Sequence, residues 1–284
     1  MWLPIALLSS AILGTKRIYE KTLTAHFGNF SMGFIVQAFS LLPTLALFPF
    51  FKLPSSLFTL PWRFWWPLLI IWLVLYPVQT YLYYRALREG EFSSITPLSA
   101  LLPAFNVVTS FLIIGEKPSI VGLVGIAMII FGVYLILLKD KAKIHFAKPE
   151  LFMIGFLVSV AIGSTLDKVS ISVSTPVFYS FMNTLGAAIM FMILMHFYKE
   201  AHEFGKMRSR AGYLFVLGIF QAIAFTAGMI AFQYGPTSYV LAIRAGGYVV
   251  ASLYGIFALK ESLSERKILA LISFSVGLLL LAFA

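Results

Sequence analysis

Arg244 is the residue whose chemistry stands out, because nothing else charged occurs between Thr237 and Leu259. A guanidinium in such an apolar stretch costs about 2.5–3.5 kcal/mol on membrane-insertion scales, so it needs a partner or a task. Its planar fork of donors suits a carboxylate or a phosphate. The other reading is an internal ion pair with Asp167 or Glu20, or a side chain stretched to the interface. Asp167 is one of only two aspartates in the chain, the other being Asp140. A carboxylate in a low-dielectric setting either couples to a proton or pairs with a cation. Glu20 sits among Lys16, Arg17 and Lys21, and its four-residue spacing from Lys16 places the two on one helix face. Asp167 and Glu20 are therefore the coupling candidates, each with a structural ion pair as the alternative.

Neutral polar residues in apolar surroundings form a second set: Gln37, Tyr76, Gln79, Tyr83, Asn183 and Gln221, with Thr15 and Ser164 weaker. They either face a substrate or hydrogen-bond between helices. The 28 phenylalanines and the cluster Trp62, Trp65 and Trp66 are expected against lipid or at its interface. Gly122, Gly125 and Gly132 suit close helix packing, and His196 suits an interface. Glu116 and Glu261 occupy similar turns and are expected to cap neighbouring helix ends or to latch a gate.

The elements that must position these groups follow from composition. The chain is 60% hydrophobic and 11% charged, with a mean hydropathy of +0.93. A soluble domain carries roughly a quarter charged residues, so lipid must cover this one. With no cysteine there is no disulfide, thiolate metal site or cysteine nucleophile. The net charge of +10 fits basic loops beside anionic lipid, and no basic face with interleaved aromatics suggests nucleic acid. No metal or cofactor motif is present.

Windows of about 20 apolar residues, enough to cross a bilayer, fall at about 3–24, 30–51, 64–87, 92–114, 119–138, 150–171, 176–198, 212–234, 237–259 and 267–283. Proline-containing breaks separate several of them, as at Gly115-Glu116-Lys117-Pro118 and Gly235-Pro236. The first window lacks the basic start and cleavage site of a signal peptide and is expected to be retained.

At an offset of 145 positions Ala86 falls on Ala231, Gly90 on Gly235, Ser93 on Ser238, Ala100 on Ala245, Glu116 on Glu261 and Gly132 on Gly277. Nearby offsets pair Glu20 with Asp167, Gln37 with Asn183 and Tyr76 with Gln221. Arg244 falls on the neutral Ser99, which makes any cavity between the halves chemically asymmetric. An odd number of spans per copy turns the second copy over. The expected fold is an all-α polytopic membrane protein of ten transmembrane helices in two inverted five-helix repeats. The repeats cover 1–138 and 150–284, joined by a charged linker at 139–149.

Lys and Arg gather in the loops after the odd-numbered spans, among them Lys21, Arg85, Arg88, Lys139, Lys148, Lys199, Lys206, Arg210 and Lys260. The positive-inside rule puts those loops in the cytoplasm and both termini outside.

Together Ala86-Leu87, Ser93 to Leu98, Leu102-Pro103-Ala104-Phe105, Gly115-Glu116-Lys117, Gly122 and Gly132-Val133 resemble the drug/metabolite transporter superfamily, in particular its ten-helix EamA-like members. The second half keeps Lys260-Glu261-Ser262 and Gly277 but carries Tyr248 where the first has Pro103. The resemblance implies a central cavity lined by the first four helices of each half, with the fifth and tenth peripheral. It also implies transport of amino acids, drugs, nucleotide sugars or sugar phosphates. Cytoplasmic termini are the family habit, against the loop charges, and both orientations stay open.

The expected function is secondary transport of a small polar or amphipathic metabolite, an amino acid or organic anion being favoured, by alternating access. The alternative is a drug exporter or a flippase of lipids or lipid-linked molecules. Substrate contacts are expected from Arg244, Tyr248, Gln37, Asn183, Tyr76, Gln221, Gln79 and Tyr83. No His-Glu-x-x-His, Gly-x-Ser-x-Gly or second membrane aspartate points to an enzyme, and no phosphate-binding loop points to ATP drive. The partners expected are a small-molecule substrate and membrane lipid, in a monomer or homodimer, in what is expected to be a prokaryotic plasma membrane.

Overall fold

The computed structural model describes residues 2–51, 53–54, 60–90, 95, 97–137, 148–245 and 265–283. Tyr248, Lys260, Glu261 and Ser262 lie outside them, as does the linker from 139 to 147. Every regular element among the described residues is helical. The main helices are α1 (Trp2–Leu23), α2 (Asn29–Leu45), α3 (Trp62–Glu89), α4 (Leu102–Ile114), α5 (Ile120–Leu137), α6 (Lys148–Ile171), α7 (Pro176–Phe197), α8 (Ala211–Tyr234), α9 (Thr237–Ala245) and α10 (Glu265–Ala282). A short helix, Phe204–Ser209, lies in the α7–α8 connection. Helices α3, α6, α7 and α8 are long and apolar enough to cross a membrane. Stretches of α2, α4, α5 and α10 are shorter and apolar.

The departures from the expected windows follow the prolines. Helix α2 stops at Leu45, short of the apolar run's end at Phe51, and a 3₁₀ turn at Phe48–Phe50 follows. Pro49 has no N–H for the Leu45 carbonyl, so the α-helical ladder cannot continue through it. In α3 a π-helical segment, Ile71–Leu75, precedes Pro77 and widens the helix where the proline ring crowds the preceding turn. Helix α4 begins only at Leu102, after a 3₁₀ turn at Pro97–Leu101. Helix α6 starts at Lys148, two positions before the expected boundary, because Pro149 suits a first turn and Glu150 complements the positive end of the helix. At the end of α4 the chain reverses through Gly115, whose φ of 71° is left-handed. Its N–H bonds Phe111 O at 3.1 Å and that of Glu116 bonds Ser110 O at 3.2 Å.

That turn delivers Glu116 to the end of the bundle where α6 stops and α9 begins. Its carboxylate accepts from Lys168 Nζ and, at 3.1 Å, from the Thr237 backbone N–H, while Lys168 Nζ also donates to Gly235 O at 2.8 Å. Glu116 thus caps α9 and ties it to α6, one of the two roles read from the sequence.

Helices α2 and α7 pack against each other, as do α5 and α10; α1 packs on α8 and α9, and α6 on α3 and α4. Small residues make these contacts close. A Cβ on Gly132 would lie 2.9 Å from the Ala270 carbonyl oxygen, and one on Gly277 would lie 2.6 Å from that of Gly125. Ser273 Oγ donates to Met128 O at 2.7 Å between them. Elsewhere hydroxyls and amides donate to carbonyls of the neighbouring helix: Ser9 to Ala224, Ser170 to Phe64, Asn106 to Ala161. The outer surface is apolar, with Leu73, Leu112, Ile120, Phe197 and Leu279 all exposed.

The α5–α10 contact gives a first test. Gly277→Val places two methyl groups where the Gly125 carbonyl sits and is expected to cost about 1–3 kcal/mol of overpacking. Ser273→Ala removes one interhelical bond and is expected to cost about 0.6 kcal/mol. Thermal unfolding of the detergent-solubilised variants checks both values, and equal melting of Gly277→Val and wild type would refute the close contact.

Candidate functional site

Eight of the ten residues singled out in the sequence meet at one place. Arg244, Gln37, Tyr76, Gln79, Tyr83, Gln221, Asp167 and Glu20 all line a cavity of about 240 Å³ in the middle of the bundle. Its described walls come from α1–α4 and α6–α9, and no described residue of α5 or α10 reaches it. Between the polar groups the wall is apolar, with Leu13, Ile71, Phe156, Phe191, Phe225 and Leu241. A few convergent polar groups in a mostly apolar concavity is the usual makeup of a small-molecule site.

Each carboxylate already has company. Glu20, 2% exposed, pairs with Lys16 at 3.0 Å and accepts from Tyr83 Oη at 2.9 Å and Tyr84 Oη at 3.4 Å. Asp167, 8% exposed, accepts a hydrogen bond from the fully buried Tyr179 hydroxyl. Three partners make Glu20 an anchored group, whereas Asp167 has one neutral donor and faces the cavity. Among the described residues Arg244 makes no ion pair with Asp167 or Glu20, the pairing that was one of its alternative roles. No carboxylate among the described residues comes within 4.0 Å of its guanidinium, and its Nε is buried with no hydrogen-bond acceptor. Asp167 shares the cavity with Arg244 and acts on it electrostatically from beyond that distance. The guanidinium rests against Gly228, where a Cβ would lie 2.8 Å from both Cζ and Nη1. Its backbone is fixed too, with Ser10 Oγ donating to Arg244 O at 3.1 Å.

The amides divide into two kinds. Gln79 Nε2 donates to Ser159 O at 3.0 Å, which binds α3 to α6. The side chains of Gln37 and Gln221 line the cavity and make no hydrogen bond among the described residues. Asn183 is a correction to the sequence reading. It is fully buried and absent from the wall; its Nδ2 donates to Tyr76 Oη at 2.7 Å and its Oδ1 accepts from Trp72 Nε1 at 3.0 Å. With both ends of its amide satisfied, Asn183 orients Tyr76 from behind. Tyr248 lies outside the described residues.

The structure adds groups that the sequence reading passed over. Arg17 lines the cavity and its Nη1 donates to Ser99 Oγ at 3.3 Å. Lys16 and Tyr84 are also on the wall, as is Ser164, one of the weaker candidates read from the sequence. Arg17 was hidden in a charged helix end, although an offset of 147 pairs it with Ser164 as it pairs Glu20 with Asp167.

Comparison with known proteins agrees with this architecture. The model of the EamA-like transporter family matches residues 1–138 and again 147–283. A solved crystal structure of another protein superposes with a TM-score of 0.75 over 99% of this chain and 98% of that one. At 18% identity that likeness shows the fold. Uncharacterized protein MJ1333.1 of Methanocaldococcus jannaschii is 35% identical over 71 residues, which are 25% of this chain and 52% of that protein, so the chain spans about half the length of this curated relative. With two matches of the family model that together cover nearly the whole chain, the chain belongs to the EamA-like transporter family. The family is one of integral membrane transporters of the drug/metabolite type and not of enzymes.

The seat of Arg244 can be tested by a double-mutant cycle. Gly228→Val alone is expected to destabilise by about 1–3 kcal/mol through overpacking. In an Arg244→Ala background the same change has room and is expected to cost at least 0.5 kcal/mol less. Additive costs in thermal unfolding would mean that the guanidinium does not lie on Gly228.

Proposed function

We propose that this protein is a secondary transporter that carries a small organic anion or amino acid through the central cavity by alternating access, with Arg244 holding the substrate's acid group. The observation that carries this reading is the guanidinium itself: it lines a cavity deep in an apolar bundle and lacks a carboxylate within ion-pair distance among the described residues. An ionised group in that position is costly unless something brings the missing charge, and a substrate carboxylate does so. Gln37, Gln221 and Tyr76 supply neutral hydrogen-bonding groups around it, and Gln79 and Tyr83 complete the wall. Of the two coupling candidates we favour Asp167, since Glu20 is tied to Lys16 and two tyrosines.

Alternating access rests on the proposed architecture of ten spans in two inverted repeats, 1–138 and 150–284, joined by the linker at 139–149. Support comes from packing that repeats itself. Gly132 lies against Ala270 and Gly277 against Gly125, and each pair turns into the other under the 145-residue offset. The contacts of α1 with α8 and α9 likewise correspond to those of α6 with α3 and α4. Two copies of one shape, facing opposite ways around one cavity, can exchange roles and so expose it to either side. One chain encloses the cavity, so transport needs no second subunit. We place the protein in a prokaryotic plasma membrane with the Lys- and Arg-rich loops in the cytoplasm, on the positive-inside rule.

Thermal unfolding of the purified protein against amino acids, organic acids, sugar phosphates, cationic drugs and lipids tests this reading. A ligand at 100 times its dissociation constant stabilises by about 2.7 kcal/mol. The expected hits are anionic or zwitterionic, protecting wild type and not Arg244→Gln. Hits confined to cations or lipids, or unaffected by the substitution, would replace this reading with drug export or flipping.

A further inference from the structure

The loop that joins α7 to α8 sorts its charges by sign. Four of the twelve residues from Lys199 to Arg210 are Lys or Arg, and two are Glu. Both glutamates turn inward onto α2. Glu203 is buried and its Oε2 accepts from the Gly28 N–H at 2.9 Å, while Glu200 Oε2 accepts from the Ser31 N–H at 2.7 Å. The start of a helix leaves N–H groups without internal acceptors and favours negative charge, so both carboxylates are well placed there. Gly28 leaves the room for them: a Cβ on it would lie 2.2 Å from Glu200 Cδ.

The cations face the other way. Lys199, Lys206, Arg208 and Arg210 are all exposed, on either side of the buried Met207. Lys206 Nζ stands 3.9 Å from Glu203, and the side chains of Lys199, Arg208 and Arg210 make no hydrogen bond or ion pair among the described residues. Exposed aromatic side chains flank them: Phe197 and Tyr198 at the end of α7, Phe204 within the loop and Tyr213 in the first turn of α8. Two of these rings are held by packing, Tyr198 against Phe30 at 4.4 Å and Tyr213 against Tyr19 at 4.9 Å between centroids. Amphipathic rings at the ends of two spans mark the headgroup level of a bilayer. Cations at that level meet lipid phosphate, and each adds to the attraction of an anionic surface. Spread over twelve positions, these cations suit a charged surface and not a single small ion.

We infer that the α7–α8 loop is a docking surface for the headgroups of anionic phospholipids, and that a docked headgroup steadies α2 through Glu200 and Glu203. The link is short. The backbone that carries the cations to the headgroups also carries the two carboxylates to α2, and α2 brings Gly33, Val36 and Gln37 to the cavity wall. Anionic lipid that holds the loop against the bilayer therefore holds the first turn of a cavity helix. Neither step depends on which substrate the cavity takes.

The test titrates phosphatidylglycerol and phosphatidylcholine into the detergent-purified protein, with thermal unfolding as the readout. Backbone amide exchange at residues 28–32 is then compared in nanodiscs of phosphatidylcholine alone and of equal parts of the two lipids. Wild type is expected to bind phosphatidylglycerol roughly tenfold tighter than phosphatidylcholine or better, with a preference that shrinks as salt is raised. Arg208→Gln with Arg210→Gln is expected to weaken phosphatidylglycerol roughly 30-fold, about fivefold for each cation removed. The same loss of charge at the opposite end of the bundle, Arg63→Gln with Lys117→Gln, is expected to leave it unchanged. Arg208→Lys with Arg210→Lys keeps the charge and covers the case in which the glutamine pair fails to fold; it is expected to bind like wild type. In nanodiscs phosphatidylglycerol is expected to slow exchange at residues 28–32 in wild type and not in Glu200→Gln with Glu203→Gln. Equal affinity of wild type for the two lipids, equal losses from the two charge-removing pairs, or the same stabilisation from inorganic phosphate overturns the docking surface. Exchange at residues 28–32 that ignores phosphatidylglycerol, or slows as much without the two carboxylates, overturns the link to α2.

Discussion

The cost of an ionised group in an apolar helix bundle governs where this molecule's polar residues stand. Glu20 is offset by Lys16 on its own helix and by two tyrosine hydroxyls from α3. Asp167 meets Tyr179, and Lys168 meets Glu116 and a free carbonyl at the end of α8. In each case the partner comes from a different turn or helix, so satisfying the charge also fixes how the helices sit. Arg244 departs from the pattern among the described residues, and in the proposed function that departure is what a substrate's acid group would answer. A protein that met every buried charge internally would gain stability and lose the means of attracting a ligand.

The helices approach closely for a separate reason. Lipid tails are as apolar as leucine, so burial alone does not drive helices together in a bilayer. Contact instead relies on small residues and on hydroxyls that reach a neighbouring carbonyl. The α5–α10 pair shows both: glycines at 132 and 277 admit the facing backbone, and Ser273 bonds Met128 O between them. Because that pair stands apart from the cavity, its packing is free of any demand from a substrate. The helices around the cavity carry the opposite load, with glycines such as Gly228 making space for a side chain and not for a backbone.

Much of this was legible in the residues. Apolar length located the helices, since about 20 residues must match the bilayer and leave a strong pattern. Repetition located the site, because residues paired by the offsets, such as Tyr76 with Gln221, converge on one cavity. What escaped was whatever depends on hydrogen-bond direction across helices. Gln37 and Asn183 are equivalent in sequence, yet the first faces the cavity and the second is spent on Tyr76 and Trp72. Arg17 escaped because three charged neighbours made it look like a helix end at the interface, when the helix in fact turns that side chain inward. The 3₁₀ and π segments near Pro49, Pro77 and Pro97 were visible as prolines, but their geometry depends on which carbonyls lose a partner.

The junction at Glu116 has a mechanical meaning of its own. One carboxylate there is shared between the Lys168 ammonium and the first backbone N–H of α9, and the same ammonium also grips the carbonyl that ends α8. Three helix ends and one tight turn are thus riveted at a single point rather than along a seam. Shear between α6 and α9 at this end works against directional bonds, where sliding apolar faces would resist it little. Loss of either side chain, Glu116 or Lys168, would remove two of the three bonds at once. Displacing α6 against α9 at this end must therefore strain bonds that all meet at the Gly115–Glu116 turn.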